Sequence, residues 1–165
     1  MKTRISPAGP RRASQTGFTF LVVLAAVAAL AIGAQVAIPL ASRALQAERE
    51  QELLFRGLAY RRAIGSYYEA AVAAGRPDKT YPQRLEDLLQ DPRFLHRRHL
   101  RELYPHPLDE RGWVLIREPG GGIVGVASSS ERRPLKRANF EVGLEPFENA
   151  ESYRQWEFVY LPASQ

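Results

Sequence analysis

The sequence predicts an α+β chain in which one long N-terminal helix, apolar in its first half and amphipathic in its second, packs against a small C-terminal antiparallel sheet. Three observations predict it. Residues 13–42 carry no charged side chain. Beyond them Leu53, Gly57, Tyr60, Ile64, Tyr67 and Ala71 recur at alternating steps of four and three, the spacing of one helix face. Two apolar runs rich in β-branched residues, 113–117 and 123–128, flank Glu118-Pro119-Gly120-Gly121-Gly122, a composition that reads as a hairpin turn.

The uncharged stretch comes first. As a helix rising about 1.5 Å per residue it reaches roughly 45 Å, more than the hydrocarbon thickness of about 30 Å. A secretory signal core has only about 7–15 apolar residues, so an ordinary cleaved signal peptide fits less well than a span. Ala29-Leu30-Ala31 and the pair Arg11-Arg12 keep a conventional export signal as an alternative. Lys2, Arg4, Arg11 and Arg12 precede the span and account for four of the chain's net charge of +5, with no acidic residue among the first 17. Arg43, Arg49 and Arg56 follow it. That asymmetry places the N-terminus inside and the following domain outside.

Pro39 lies within the predicted helix. It removes one backbone hydrogen bond and crowds the carbonyl four residues earlier, so a kink between Gln35 and Pro39 is expected. Residues 40–74 hold no further proline and are rich in Ala, Leu, Glu, Gln and Arg, which favour continuation of the helix. Glu48, Glu50, Glu52, Arg56, Arg62 and Glu69 fall mainly off the apolar stripe, giving this half one face for a small domain and one for water.

Further on, Pro82 suits the first turn of a short helix over 83–90, ended by Asp91-Pro92. The hairpin follows, and Trp156 to Leu161 is expected to add a third strand. The chain has no Cys, which excludes disulfides, thiolate metal sites and cysteine nucleophiles.

The junction "TGFTFLVVL", Thr16 to Leu24, resembles the cleavage site of type IV pilins and the pseudopilins of type II secretion. In that family a basic leader ends in Gly, prepilin peptidase cuts after it, and the new terminal Phe is N-methylated. The matching residues are Gly17 and Phe18. Counted from Phe18, Pro39 falls twenty-second, where the family carries its helix-kinking proline. "TYPQRLEDLLQDPRF", residues 80–94, resembles the segment after the long helix of major pseudopilins, and "GWVLIREPGGGIVGVASSS", residues 112–130, resembles their sheet.

The resemblance implies a basic leader over 1–17, a transmembrane or fibre-core helix over 18–42 and a periplasmic pilin-like domain over 43–165. It implies a single pass through the inner membrane with the N-terminus cytoplasmic, and after processing a place in a periplasmic pseudopilus. The implied partners are other pilin or pseudopilin subunits, prepilin peptidase and an inner-membrane assembly platform. The function implied is a non-catalytic fibre subunit. One position departs from the family: Val22 stands at the fifth mature position, where Glu usually neutralises a neighbour's terminal amine. That departure favours a minor role over a repeating one.

No residue set in the sequence resembles an active site, and neither cofactor nor metal is expected. His96, His99 and His106 have the wrong company for a metal, with Arg97 and Arg98 between the first pair. Ser128, Ser129 and Ser130 read as a polar turn after a strand, without a recognisable base. The family's calcium loop corresponds to "SSSERRPLKRANFE", where Arg132, Arg133, Lys136 and Arg137 oppose a cation. Two other functions remain open: a signal-anchored periplasmic sensor or ligand-binding module, and a DNA-uptake minor pilin using the basic residues. The acidic residues interspersed among those cations point to a solvated surface and not to nucleic acid as partner.

Overall fold

The computed structural model describes residues 16–75 and 79–162, and within them every side chain except those of 16, 33–41 and 72. The chain divides into two units, Met1–Arg43 and Ala44–Gln165. One helix, α1, spans Thr16–Ala73. It continues through Pro39, and the kink expected there falls among residues whose side chains lie outside the described ones. Of the leader over 1–17, residues 1–15 lie outside them as well. Among the described residues no helix is long and apolar enough to cross a membrane. The described side chains of the predicted span are those of 17–32 and Ser42.

In the unit from Ala44 onward the predicted stripe is the buried face. Leu53, Tyr60, Ile64, Tyr67 and Ala71 are all buried, with Ala63 and Ala70 beside them. The helix ends as Ala74 N–H bonds Ala70 O and Gly75 takes φ +68°, a left-handed closure that glycine adopts without Cβ strain.

The sheet has three antiparallel strands in the order β1 (Trp113–Arg117), β2 (Ile123–Ser128) and β3 (Glu157–Val159). Val114 pairs with Ala127 and Val126 with Phe158, and a register shift falls between Ile116 and Arg117. The hairpin residues 118–122 turn as expected, closed by Glu118 N–H to Gly122 O at 2.9 Å and Gly121 N–H to Glu118 O at 2.9 Å. As the central strand, β2 is mostly buried along its length, which explains its continuous apolar run.

Two glycines set how closely the sheet approaches α1. The Phe158 ring occupies the place a Cβ would take at Gly57, and a Cβ at Gly65 would meet the Tyr160 ring at 2.6 Å. Phe158 belongs to an aromatic core: the Phe147 and Trp156 rings stack at 5.3 Å, and Phe158 and Tyr153 meet them edge-on. Trp156, Phe147, Phe158 and Tyr153 are all at most 2% exposed, and burial of each such side chain contributes about 1.5–3 kcal/mol.

Two expected elements are shorter than the sequence suggested. In place of a helix over 83–90 there is a 3₁₀ turn at Leu85–Leu88. Pro82 precedes it, because the Pro82 carbonyl accepts Ile123 N–H at 2.8 Å and is not free to start a helix. At the other end Leu88 O accepts both His99 N–H and Leu100 N–H at 2.9 Å, so the chain turns back. The third strand is Glu157–Val159 and not 156–161. Trp156 closes a 3₁₀ turn at Tyr153–Gln155, and Leu161 beyond the strand is 77% exposed.

Candidate functional site

Local sequence explains why the first stretch of α1 is helical: it contains no proline between Gly17 and Ile38 and is rich in Ala and Leu. Nothing described covers it. Phe18, Phe20, Leu21, Val22, Val23, Leu24, Val27, Leu30 and Ile32 are each at least 50% exposed, with Phe18 at 72%. A Cβ at Gly17 would meet nothing within 4 Å. Gly17, Phe18 and Val22 therefore lie on an open helix surface that is apolar in every direction. A contiguous apolar surface of this extent marks an interaction site or an aggregation liability.

The unit from Ala44 holds two buried carboxylates that sequence reasoning did not single out. Glu50 was placed off the apolar stripe, yet it is 5% exposed. Its carboxylate accepts Leu135 N–H at 2.7 Å, Lys136 N–H at 2.9 Å and the Tyr153 hydroxyl at 2.6 Å. Burial, joined by the Glu50 carboxylate, pushes the Tyr153 phenol up to about 12. Gln46, one turn earlier, donates to Arg133 O at 3.0 Å and to the Tyr153 oxygen at 3.2 Å. A charged residue one step from a stripe position was the only sequence signal, and such residues usually face water.

Asp91 is the second, fully buried. Its Oδ1 accepts Arg93 N–H and Nε–H, each at 2.9 Å, and its Oδ2 accepts Arg93 Nη2–H at 2.8 Å. His99 Nε2 lies 3.1 Å from the same Oδ2. Burial pushes the Asp91 carboxyl up, but the Arg93 and His99 bonds outweigh it and hold it below the ordinary carboxylate range. Arg93 also stacks 3.7 Å over the Tyr67 ring and donates to Tyr67 O at 2.6 Å. The cluster thus clamps the 91–99 loop to α1.

His99 Nδ1 lies 2.8 Å from Ser66 Oγ, completing a Ser66–His99–Asp91 chain of the kind that activates serine nucleophiles. Burial holds His99 below its ordinary pKa, against the opposing pull of Asp91. With Nε2–H donated to Asp91, Nδ1 is left to accept from the serine. Ser66, however, lies inside α1, where backbone N–H groups are spent on the helix ladder. Its own helix backbone therefore offers no free N–H pair of the kind that holds an oxyanion. The chain ties the 91–99 loop to α1.

The other expected polar features separate. His96 is exposed. The His106 ring lies against Trp113 with centroids 4.8 Å apart, where burial holds its pKa below the ordinary value. His106 Nδ1 accepts Leu108 and Asp109 N–H at 3.2 and 2.9 Å, leaving Nε2–H to donate to Ser128 Oγ at 2.9 Å. In that tautomer His106 is no base toward Ser128. Of the three histidines only His96 is exposed to solvent. Ser128, Ser129 and Ser130 are buried, not a solvated turn, because Ser128 ends the central strand. Among the described residues no group of three or more His, Cys, Asp or Glu could hold a metal ion.

Comparison with protein-family models, curated proteins and solved structures finds no match to this chain.

Proposed function

We propose that the chain is a non-catalytic pseudopilin or minor pilin-like subunit of a type II secretion or type IV pilus-type machine. The observation that carries this reading is α1 itself. One helix joins an apolar, uncovered stretch over 17–32 to a face that seats a small α+β unit through Leu53, Tyr60, Ile64 and Tyr67. The first stretch suits storage in the inner membrane and later packing among similar helices, and the second presents a folded domain to the periplasm. The register shared by Gly17, Phe18 and Pro39 supports the same assignment. Val22, half exposed on the apolar stretch, supports a minor position, since it offers no carboxylate to a neighbouring terminal amine.

The test is the intact mass and terminal sequence of the protein recovered from membranes of a cell with prepilin peptidase. The expected mature chain begins at N-methylated Phe18. A chain beginning near Ile32 overturns the reading in favour of conventional export, and an uncut chain does so in favour of a signal-anchored sensor.

A further inference from the structure

We infer that the 132–137 loop is a docking surface for an anionic lipid bilayer. The inference rests on the membrane-anchored reading above and assigns a role to residues that reading leaves unused.

The loop is fixed along its backbone. Tyr153 N–H donates to Arg132 O at 3.0 Å, the Gln46 amide to Arg133 O, and Asn149 N–H to Arg137 O at 3.0 Å. Leu135 and Lys136 N–H are held by the two oxygens of Glu50. Pro134 is buried beneath. With the backbone held at these points, Arg132, Arg133, Leu135 and Arg137 are exposed. Among the described residues none of these arginines forms an ion pair. Lys136 lies 4.8 Å from the Phe140 ring centroid, and exposed Arg49 sits on the helix turn that holds the loop.

The acidic groups nearby reduce this charge without cancelling it: Glu50 is turned inward onto the loop's N–H groups, Glu131 is paired with Arg154 at 3.3 Å, and exposed Glu48, Glu148 and Glu151 stand against the five cations Arg49, Arg132, Arg133, Lys136 and Arg137. Position along the chain selects the partner. The anchoring residues Gln46 and Glu50 follow Ser42, the end of the uncharged stretch, by one and two helical turns. A cluster of cations carrying one exposed aliphatic side chain, tied to the residues that directly follow an apolar helix, matches the headgroup layer of an anionic leaflet. Each cation near such a surface favours docking about fivefold.

The absence of Cys makes the test direct. In the full chain, Leu135→Cys is labelled with a polarity-sensitive fluorophore and reconstituted into phosphatidylcholine vesicles with or without about 30 mol% phosphatidylglycerol. Leu95→Cys is the control. Leu95 is 84% exposed, and its loop is fastened to α1 at Ser66 and Tyr67, about 30 Å along the helix from Gln46. The label at 135 is expected to be shielded from a water-soluble quencher in anionic vesicles only, and released by high salt. Arg132→Gln/Arg133→Gln/Arg137→Gln weakens the docking about a hundredfold, with the near-ultraviolet spectrum of the buried tryptophan unchanged.

Equal accessibility at 135 in both vesicle types, with the chain co-floating, overturns the lipid surface and spares the membrane reading. Failure to co-float with either overturns both. Shielding in neutral vesicles by added inorganic phosphate or duplex DNA overturns the lipid assignment in favour of a free anion or nucleic acid. Preferential shielding of the label at 95 overturns the assignment to this loop.

Discussion

Leu24 and Leu53 are the same side chain on the same helix, yet Leu24 is 59% exposed and Leu53 is fully buried. The stretch around Leu24 has apolar residues on every side and so shows no helical period. The stretch around Leu53 alternates by three and four because its two sides meet different surroundings, a packed core and water. Periodicity therefore reports a boundary between two environments, while its absence in an apolar helix reports a single one. The comparison explains why the second stretch has a definable core within the chain and the described side chains of the first do not.

The comparison breaks if the two leucines prove equivalent. Leu53→Ala is expected to destabilise the Ala44–Gln165 unit by about 2–5 kcal/mol, through lost burial and the cavity left behind. Leu24→Ala is expected to change the stability of that unit by less than about 0.5 kcal/mol. Denaturant unfolding of the full chain in detergent, followed by tryptophan fluorescence, measures both. Equal effects would mean that the first stretch is packed as the second is.

A smaller effect sharpens the same contrast at glycine. Gly57→Ala places a methyl in the Phe158 ring; overpacking costs about 1–3 kcal/mol, and helix propensity returns up to about 1 kcal/mol. The expected outcome is a lowered unfolding midpoint with an unchanged denaturant slope. Gly17→Ala meets no neighbour and is expected to leave the midpoint unchanged. A stabilised Gly57→Ala would show that the sheet can move away from α1 at little cost.

The smallest expected effect is in pH. The 13–42 stretch has no charged side chain, whereas His99 and His106 are held below their ordinary pKa by burial. The unfolded chain then binds more protons than the folded one. Their contribution is complete above the unfolded value of about 6.5 and is lost as pH falls through the lower folded values. Asp91, also shifted down, adds its loss only at stronger acidity. The unfolding midpoint of the Ala44–Gln165 unit should fall between about pH 7.5 and 5.5, while helix content of the apolar stretch in detergent stays constant. A His99→Gln/His106→Gln variant should flatten the decline. A midpoint that rises on acidification overturns this account.

The sequence by itself determined the elements that arise from local spacing. The stripe from Leu53 to Ala71 became the buried face, and the runs at 113–117 and 123–128 became paired strands because five turn-forming residues separate them. The helical spacing and the turn chemistry behind them need only neighbours in the chain, while the partners that cover the stripe, Phe158 among them, come from its far end. Tertiary structure decided what depends on partners far along it. The 83–90 helix shrank because Pro82 O and Leu88 O bond Ile123, His99 and Leu100 instead of the residues a helix would supply. Glu50 went inside because the N–H groups of Leu135 and Lys136, some 85 residues away, supply the donors its carboxylate needs. Ser66, Asp91 and His99 came together because Arg93 draws their loop onto Tyr67. A polar group's place inside a fold is fixed by which donors and acceptors the rest of the chain brings to it, and a local pattern carries no record of them.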